Sequence, residues 1–318
     1  MSSVEVGIVG LPNAGKSTLF NALASRRLAE TAPRPFTTID PHEAVIAIPD
    51  LNLDKLSQLI KPEKTVPASV TFIDIAGLVK GAHKGEGLGN QFLGKIREVD
   101  AIVHVVRAFS DPVVTHQHAS HEPGSIEQIL EDIEIVNIEL ELGGISKKPT
   151  IYVLNSDEDD LKNMELIKKV EEKFKEKALL ISAKMEEDLI DFSEAEKEEY
   201  LKEIGSDKTG LERLILYAYE LLDLITFYTI KGGKELHAWS LKRGQTAIDA
   251  ASEVHTDFAK NFIKAEIIEV NQLLRLEKEL KEHENVWNLA REKGLIKLEG
   301  KNYLVQDKDV IEFKVGSG

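Results

Sequence analysis

The stretch Gly10-Leu-Pro-Asn-Ala-Gly-Lys-Ser-Thr18 decides the fold class of this chain. It matches the pattern GxxxxGK[ST], follows the apolar run Val4–Val9 and opens a helical pattern at Ser17–Ala24. In that context the glycines let the backbone wrap a phosphate, and Lys16 reaches the β- and γ-phosphates. A glycine-rich turn that binds nothing is the alternative, but it does not account for the order strand, loop, helix. The residues predicted to contact the phosphates are Asn13, Ala14, Gly15, Lys16, Ser17 and Thr18.

Short apolar runs alternate with helical patterns through the first 225 residues. This alternation predicts a doubly wound α/β sheet with ligands at the carboxyl ends of the strands. The predicted strands are Val4–Val9, Ala44–Ile48, Val70–Ile73, Ala101–Val106, Thr150–Leu154 and Ala178–Ile181. The predicted helices include Ser17–Ala24, Gln91–Val99 and Ile126–Leu142.

The charge changes along the chain, and this change predicts a domain boundary near residue 225. The 15 basic and 15 acidic residues of 226–318 cancel, so residues 1–225 carry the whole net charge of −15. A small α+β domain is predicted for 226–315, and residues 316–318 are interpreted as a frayed or added tail. Its predicted strands are Phe227–Ile230, Leu236–Ser240, Tyr303–Val305 and Val310–Phe313, around the helix Thr246–Val254. The amphipathic run Phe262–Leu280 is expected to support its core.

Length and composition exclude several classes of protein. The 318 residues are enough for roughly two domains. The chain has no cysteine, which excludes disulfides, thiolate metal sites and a cysteine nucleophile. A net charge of −15 disfavours simple coating of DNA or other nucleic acid. No apolar run is long enough to cross a membrane and no signal peptide is visible, so we expect a cytoplasmic protein.

Two further segments are candidates for binding the metal and the γ-phosphate. An apolar strand ends in Asp74-Ile-Ala-Gly77, where Asp74 would hold Mg²⁺ through water and the Gly77 amide would contact the γ-phosphate. Thr38 lies in the irregular stretch before the second strand, where its hydroxyl can close on Mg²⁺. The Ser17 hydroxyl completes the predicted metal ligands. A DxxG segment and the pair Thr37-Thr38 are weak signals alone. Both are expected, however, in a protein whose phosphate loop carries Lys16.

The segment Asn155-Ser-Asp-Glu158 occupies the place of the N-K-x-D motif by which GTPases recognise guanine. There the Asp carboxylate accepts two hydrogen bonds from guanine, and the Lys stem packs on the base. Here Glu158 is one methylene longer and Ser156 has no such stem, so adenine or relaxed specificity is predicted. Ser182 and Ala183 follow the last strand and match a loop whose amides contact the base. The alternative for this segment is an ordinary acidic loop.

The chain resembles the YchF, or Obg-like ATPase, family along nearly its whole length. The similar segments are Gly10–Thr18, Phe36–Pro41, Asp74–Ala82, Gly85–Phe92, Asn155-x-x-Glu158 and His255–Phe258. The resemblance implies a Ras-like domain that prefers ATP, a C-terminal TGS domain of ubiquitin-like fold, and binding to ribosomes, by the large-subunit surface, in translation or stress responses. A monomer is the expected state.

The chain departs from that family at one place. Members normally insert a helical coiled coil before the strand at Thr150, whereas this chain has only the short loop 143–149. A naturally reduced member and an engineered deletion would look the same. Partner contacts made through a coiled coil are therefore not implied for this chain, but the nucleotide site is.

The residue after DxxG is Leu78, which cannot orient water as the glutamine of Ras-type enzymes does. His116, which matches a family histidine, is one candidate catalytic residue, although an exposed loop histidine is the more economical interpretation. Asn13 is the residue type that K⁺-stimulated relatives use to hold the cation, and a turn-stabilising role is equally open. Lys16 also counts as catalytic, because its charge neutralises the β/γ-oxygens. The glycine-rich run Gly81–Gly89 is interpreted as a switch that orders with the γ-phosphate.

Three functions are consistent with these features. The first and favoured one is a Mg²⁺-dependent ATPase switch that docks on ribosomes. The second is a GTPase with an unusual base site. The third is a nucleotide-binding interaction module with negligible turnover, which Leu78 suggests.

Overall fold

The computed structural model of the chain describes residues 4–30, 42–75, 88–111, 113–115, 121–145, 147–280 and 285–316. The strands are β1 (Glu5–Val9), β2 (Glu43–Ala47), β3 (Lys64–Val66), β4 (Ser69–Asp74), β5 (Ala101–Arg107), β6 (Thr150–Asn155), β7 (Lys177–Ile181), β8 (Leu224–Lys231), β9 (Glu235–Lys242), β10 (Phe262–Glu269), β11 (Lys297–Glu299) and β12 (Asp309–Val315). The α-helices are α1 (Lys16–Glu30), α2 (Leu51–Ile60), α3 (Leu88–Glu98), α4 (Ile126–Leu142), α5 (Met164–Phe174), α6 (Ala183–Asp188), α7 (Glu194–Ile204), α8 (Gly210–Leu221), α9 (Ala247–Val254), α10 (Thr256–Lys260), α11 (Val270–Arg275) and α12 (Val286–Glu292).

The first structural unit comprises residues 3–46 and 70–222 and contains a sheet of order β2-β4-β1-β5-β6-β7. The pairs β1–β4, β1–β5, β5–β6 and β6–β7 are parallel. All residues of β5 are buried, so both faces of the sheet are covered. β1 lies between β4 and β5, and this switch in strand order places a ligand crevice at its carboxyl end. The predicted α/β P-loop domain is confirmed.

The second unit comprises residues 47–69 and 223–318 and contains a mixed sheet of order β11-β10-β12-β8-β9-β3. β8–β9, β10–β12 and β10–β11 are antiparallel, whereas β12–β8 and β3–β9 are parallel. One apolar core joins the sheet to α9, whose inner face is made of alanines that let the helix approach closely. Its members include Ile225, Phe227, Leu241, Ala247, Ala250, Ala251, Ile267 and Phe313.

The segment 47–69 belongs to the second unit, although the sequence analysis placed all of 1–225 in the first domain. Asp50 caps α2, because its Oδ1 accepts hydrogen bonds from the amides of Asn52 (2.9 Å) and Leu53 (3.1 Å). Its other oxygen, Oδ2, accepts one from the Tyr228 hydroxyl at 2.7 Å. Composition marks where a chain changes character, not where an earlier segment returns to pack, so the boundary near 225 was incomplete.

A turn at Gly143 and Gly144 ends α4. The amide of Gly143 donates to the Glu139 carbonyl at 2.9 Å, and the Gly143 carbonyl accepts a bond from Arg97 at 2.8 Å. A Cβ at position 143 would lie 2.6 Å from the Leu93 side chain. A larger residue at this turn would therefore require the Leu93 side chain to move.

Two predicted elements of the second unit differ from the structure. Tyr303–Val305 was expected to be a strand, but among the described residues it contributes only an isolated bridge between Leu304 and Thr246. The run Phe262–Leu280 does contribute to the core, yet its first half is the strand β10 and only its second half is helical. Apolar residues at mixed spacing fit both periods, so the pattern alone did not separate them.

We expect Tyr228→Phe to lower the free energy of unfolding of the second unit by about 2 kcal/mol, because the lost hydrogen bond has a carboxylate acceptor. Burial and the neighbouring Asp50 raise the pKa of the Tyr228 hydroxyl, so it remains a donor at all working pH values. Both tryptophans, Trp239 and Trp287, lie in this unit. Urea titration followed by tryptophan fluorescence measures the effect.

Tyr217→Phe is the control, because Tyr217 lies in the first unit and its hydroxyl makes no hydrogen bond with a described residue. It should leave the tryptophan transition unchanged. An equal shift in the two variants would contradict the role assigned to the Asp50–Tyr228 bond.

Candidate functional site

The loop between β1 and α1 has a backbone that demands its glycines. Gly10 has φ +152°, and a Cβ there would lie 2.2 Å from the Val105 carbonyl oxygen. Gly15 has φ +93°, and a Cβ there would lie 2.1 Å from the side-chain nitrogen Nδ2 of Asn155. Asn13 also has a positive φ, of 64°, which asparagine tolerates better than most residues. The loop is therefore closely fitted to β5 and β6.

Lys16 is the buried cation of the site. It is 8% exposed, and its Nζ donates to the Leu11 carbonyl at 2.9 Å. Burial lowers the pKa of Lys16, and the nearby Asp74 carboxylate partly opposes this shift. The structure therefore brings together the lysine and the carboxylate that the sequence separates by 58 positions.

Ser17 and Thr18 lie in the first turn of α1 and line the same pocket as Lys16. Free backbone amides and the helix dipole favour an anion at a helix N-terminus. The predicted phosphate ligands thus lie around one end of α1. Asn13 lines the pocket as well, and its Nδ2 donates to the Thr115 carbonyl at 3.0 Å.

Asn155, at the end of β6, joins the phosphate loop to the predicted base loop. Its Nδ2 donates to the Ala14 carbonyl at 3.0 Å, and its Oδ1 accepts from the Ala183 amide at 3.0 Å. Ser182 caps α6, because its hydroxyl accepts from the Met185 amide. One amide side chain therefore fixes the distance between the two ends of the pocket.

The residues after Asn155 form the predicted base end. Ser156 is 3% exposed; its amide donates to the Ile181 carbonyl at 2.9 Å, and its hydroxyl has no hydrogen-bond partner among the described residues. Asp157 accepts hydrogen bonds from the amide (3.1 Å) and hydroxyl (3.2 Å) of Ser110. Glu158 is exposed and begins a single 3-10 turn. This segment carries two carboxylates, those of Asp157 and Glu158. The Glu158 carboxylate makes no hydrogen bond with a described residue.

The pocket between these segments has a volume of about 560 Å³. Its lining includes three residues from a segment that was not predicted from the sequence to be part of the site: Phe109, Asp111 and Val114. Phe109 follows the end of β5, which is the sheet edge where ligands of α/β folds bind. An aromatic residue at that position was a usable signal.

Several predicted site residues lie outside the described residues. They are Thr38, Gly77, Leu78 and His116, together with most of the glycine-rich run, residues 81–87. Their assigned roles remain predictions from sequence.

The described residues fit a Mg²⁺–phosphate complex better than a metal site built by protein alone. Within the described ranges no group of three or more acidic, histidine or cysteine side chains could hold a metal ion. Mg²⁺ in phosphate sites usually takes only one or two protein ligands and keeps substrate oxygens and waters. The Ser17 hydroxyl and the Asp74 carboxylate suit that arrangement.

In the described part of the chain, no helix is long and apolar enough to span a membrane.

The parallel sheet, the phosphate loop and its buried lysine define a P-loop nucleotide-binding protein of the GTPase type. Residues 5–156 match the family described as 50S ribosome-binding GTPase, and residues 224–316 match the C-terminal domain of YchF GTPases, which is described as a protein of unknown function.

The chain belongs to the YchF family. It is 36% identical to the ribosome-binding ATPase YchF of Bacillus subtilis over 98% of this chain and 99% of the relative, and 38% identical to that of Haemophilus influenzae over 98% of each. The solved structure of the Schizosaccharomyces pombe YchF GTPase superposes with a TM-score of 0.78 at 31% identity, covering 98% of both chains. The Bacillus alignment extends over 378 positions, so the relative has residues that this chain of 318 lacks.

We expect the affinity for a nucleoside triphosphate to fall as the pH rises through the lowered pKa of Lys16. Phosphate oxygens favour the charged lysine and raise its pKa in the complex. Between the free and bound pKa values binding takes up a proton, so affinity falls by up to about tenfold per pH unit. Below both values the lysine is protonated in both states and the affinity is flat. Calorimetry at a series of pH values up to the ordinary lysine pKa of about 10.4 measures this dependence.

Lys16→Ala is the control for this titration. It should abolish tight triphosphate binding and remove the pH slope while the far-UV circular dichroism stays that of the wild type. An affinity that is constant or rises with pH in the wild type would contradict the assignment of Lys16.

Proposed function

We propose that this protein is a Mg²⁺-dependent ATPase that converts ATP and water to ADP and phosphate and associates with ribosomes as a nucleotide-controlled switch. The bridge made by Asn155 carries this proposal. It ties the phosphate loop to a base loop whose next residues, Ser156 and Glu158, are not those of a guanine clamp. The names of the relatives, ribosome-binding ATPases, support the partner and the reaction.

The composition of the base end favours adenine or both purines over strict guanine selection. A guanine clamp needs a carboxylate at a set depth and a long aliphatic stem beside the base. Ser156 supplies neither, and Glu158 is exposed and longer by a methylene. Ser156 is buried and places no long side chain beside the base. Phe109 gives the pocket an aromatic surface for a purine ring.

The phosphate end supplies positive charge and metal ligands. Lys16 neutralises the β/γ-oxygens, and the amides of the first turn of α1 contact the phosphates. Ser17, Thr38 and Asp74 are the proposed Mg²⁺ ligands, with Asp74 acting through water. The ion would neutralise charge developing on the phosphoryl oxygens. The Gly77 amide is the proposed sensor of the γ-phosphate.

Water is aligned by a group other than Leu78 in this proposal, because an alkyl side chain has no donor or acceptor. The candidates are His116, a K⁺ ion held near Asn13, and a group from the ribosome. The Asn13 amide nitrogen already donates to Thr115, which leaves its oxygen to bind a cation.

The C-terminal unit is proposed to be a TGS domain of ubiquitin-like fold. Its strand order β9-β8-β12-β10-β11, with α9 packed on one face, supports this. The same resemblance suggests the large ribosomal subunit as the surface contacted. A monomer is proposed, and a cytoplasmic location follows from a ribosomal partner.

GTP hydrolysis is the second candidate function. The matching family model for residues 5–156 and the Schizosaccharomyces structure both carry the word GTPase in their descriptions. Discrimination between the nucleotides therefore tests the proposal directly.

We expect ATP to bind at least as tightly as GTP in the presence of Mg²⁺. Glu158→Asp should not restore guanine selectivity, because Ser156 still lacks the stem that packs on the base. Titration calorimetry with both nucleotides measures this, and Glu187→Asp, a carboxylate outside the pocket, serves as the control. A wild-type protein that binds GTP far more tightly than ATP would overturn the proposal.

Basal hydrolysis is expected to be slow and to survive Leu78→Ala. If His116 aligns the water, His116→Ala should lower turnover by about 10²–10⁴-fold without loss of ATP affinity. Replacing K⁺ by Na⁺ tests the cation near Asn13 in the same phosphate-release assay. If neither change affects basal turnover, ribosomes should supply the missing group and accelerate hydrolysis. No stimulation by ribosomes, together with no effect of either change, would favour a module with negligible turnover.

A further inference from the structure

Arg107 is a buried arginine whose hydrogen bonds go to backbone carbonyls. It ends β5 and is 1% exposed. Its Nε donates to the Phe109 carbonyl at 3.2 Å, its Nη1 to that of Val114 at 2.7 Å, and its Nη2 to that of Asp111 at 2.7 Å. Its guanidinium carbon also lies 4.6 Å from the centre of the Phe109 ring. One side chain thus holds three points of the segment that follows β5.

The three carbonyl acceptors belong to residues that also line the nucleotide pocket. Phe109, Asp111 and Val114, here named the base wall, are the pocket residues contributed by this segment. Each of them lines the cavity and also accepts a hydrogen bond from Arg107 through its backbone carbonyl. The wall therefore has its position set from behind by a residue that is absent from the pocket lining.

Two other elements of the site hold the same segment. The Asp157 carboxylate accepts hydrogen bonds from the amide and hydroxyl of Ser110, and Asn13 donates to the Thr115 carbonyl at 3.0 Å. The carbonyl of Arg107 in turn accepts a bond from the Gln128 side chain at 3.2 Å. The segment is tied to the phosphate loop, to the base motif and to α4.

Lysine cannot replace this arrangement. The guanidinium is a planar fork whose donors point in fixed directions, whereas an ammonium is a single point charge on a flexible stem. Burying a charge is costly unless it is hydrogen-bonded, and here the carboxylates of Asp111, Asp132 and Asp157 add favourable charge around Arg107. A buried arginine serving only stability would be a poor choice, since apolar residues usually fill such space at no net loss.

We propose that Arg107 is a positioning residue that sets the base wall and thereby determines affinity and selectivity for the nucleobase, independently of the phosphate site. This inference rests on the proposed function, because it assumes that a nucleotide occupies the pocket. A prearranged wall spares the ligand the cost of ordering it on binding. Asn13 contacts the same segment, but the phosphate loop is also held by its glycines and by Asn155, so we expect Arg107 to affect base binding and not phosphate binding.

Calorimetry with three ligands, ATP, GTP and inorganic tripolyphosphate, each with Mg²⁺, tests the inference on the full chain. Arg107→Lys should lower the affinity for ATP by about tenfold, equivalent to about 1.4 kcal/mol. It should move the ATP:GTP affinity ratio towards one and leave tripolyphosphate binding unchanged. A merely structural role would lower all three affinities together, as Lys16→Ala does through the phosphates.

Arg291→Lys is the matched control, because Arg291 bonds the carboxylate of Glu266 at 2.7 Å in the second unit. It should change thermal stability without changing any ligand affinity. Wild-type binding of GTP in preference to ATP would contradict the proposed ATP specificity, but the tenfold loss would then be expected for GTP. Binding of tripolyphosphate with no binding of either nucleotide would overturn both.

Asp157→Ala covers the case in which Arg107→Lys does not fold. Asp157 is exposed, and its removal releases Ser110 without opening the interior. A loss of ATP affinity of about threefold with unchanged tripolyphosphate binding is expected for the loss of a modest hydrogen bond. The inference is overturned if the folded Arg107→Lys binds ATP like the wild type, if it loses ATP and tripolyphosphate equally, or, where it does not fold, if Asp157→Ala binds ATP normally.

Discussion

The two hydrogen bonds of the Asn155 side chain are the constraint on which the nucleotide pocket depends. The Asn155 side-chain amide donates to the Ala14 carbonyl and accepts from the Ala183 amide at once, whereas a carboxylate lacks the donor and an alkyl group lacks both. The close approach of Gly15 to that amide makes this glycine a packing requirement, in addition to its predicted role in binding phosphate. The phosphate loop and the base motif are therefore joined by a direct contact between Ala14 and Asn155, which lie 141 positions apart in the chain.

The buried cations of the first unit serve different ends although both bond to carbonyls. The Lys16 ammonium donates to the Leu11 carbonyl, and the nearby Asp74 carboxylate is itself a proposed metal ligand. The positive charge of Lys16 is therefore available to an anionic ligand in the proposed function. Arg107 donates hydrogen bonds to three carbonyls and does not line the pocket. In the proposed function, charge close to the phosphates and geometry close to the base are therefore supplied by separate residues. On that proposal, affinity for the phosphates and selection of the base can vary independently.

The second unit is not one continuous stretch of chain, because residues 47–69 are stabilised by contacts with residues after 223. A short helix such as α2 is marginal by itself and is stabilised by packing and by its cap. Asp50 supplies the cap and at the same time accepts the Tyr228 hydroxyl, while β3 adds a parallel strand beside β9. These contacts join residues nearly 180 positions apart, as the 178 positions between Asp50 and Tyr228 show. No local feature of 47–69 indicates the partner that it finds.

By itself the sequence predicted the fold class, the loop 13–18 between the first strand and the first helix, the strand Thr150–Leu154 that precedes the base motif, and the short loop 143–149. Each of these depends on local periodicity or on a motif whose chemistry needs particular residue types. It also predicted that Asn155, Ser182 and Ala183 share one site. Only the tertiary structure decided that 47–69 joins the second unit, that Phe262–Glu269 is a strand, and that Phe109, Asp111 and Val114 line the pocket with Arg107 behind them. These outcomes are set by contacts between distant residues, and a buried hydrogen bond to a backbone carbonyl leaves no mark in the identity of the residue that accepts it, since every residue has a carbonyl to offer.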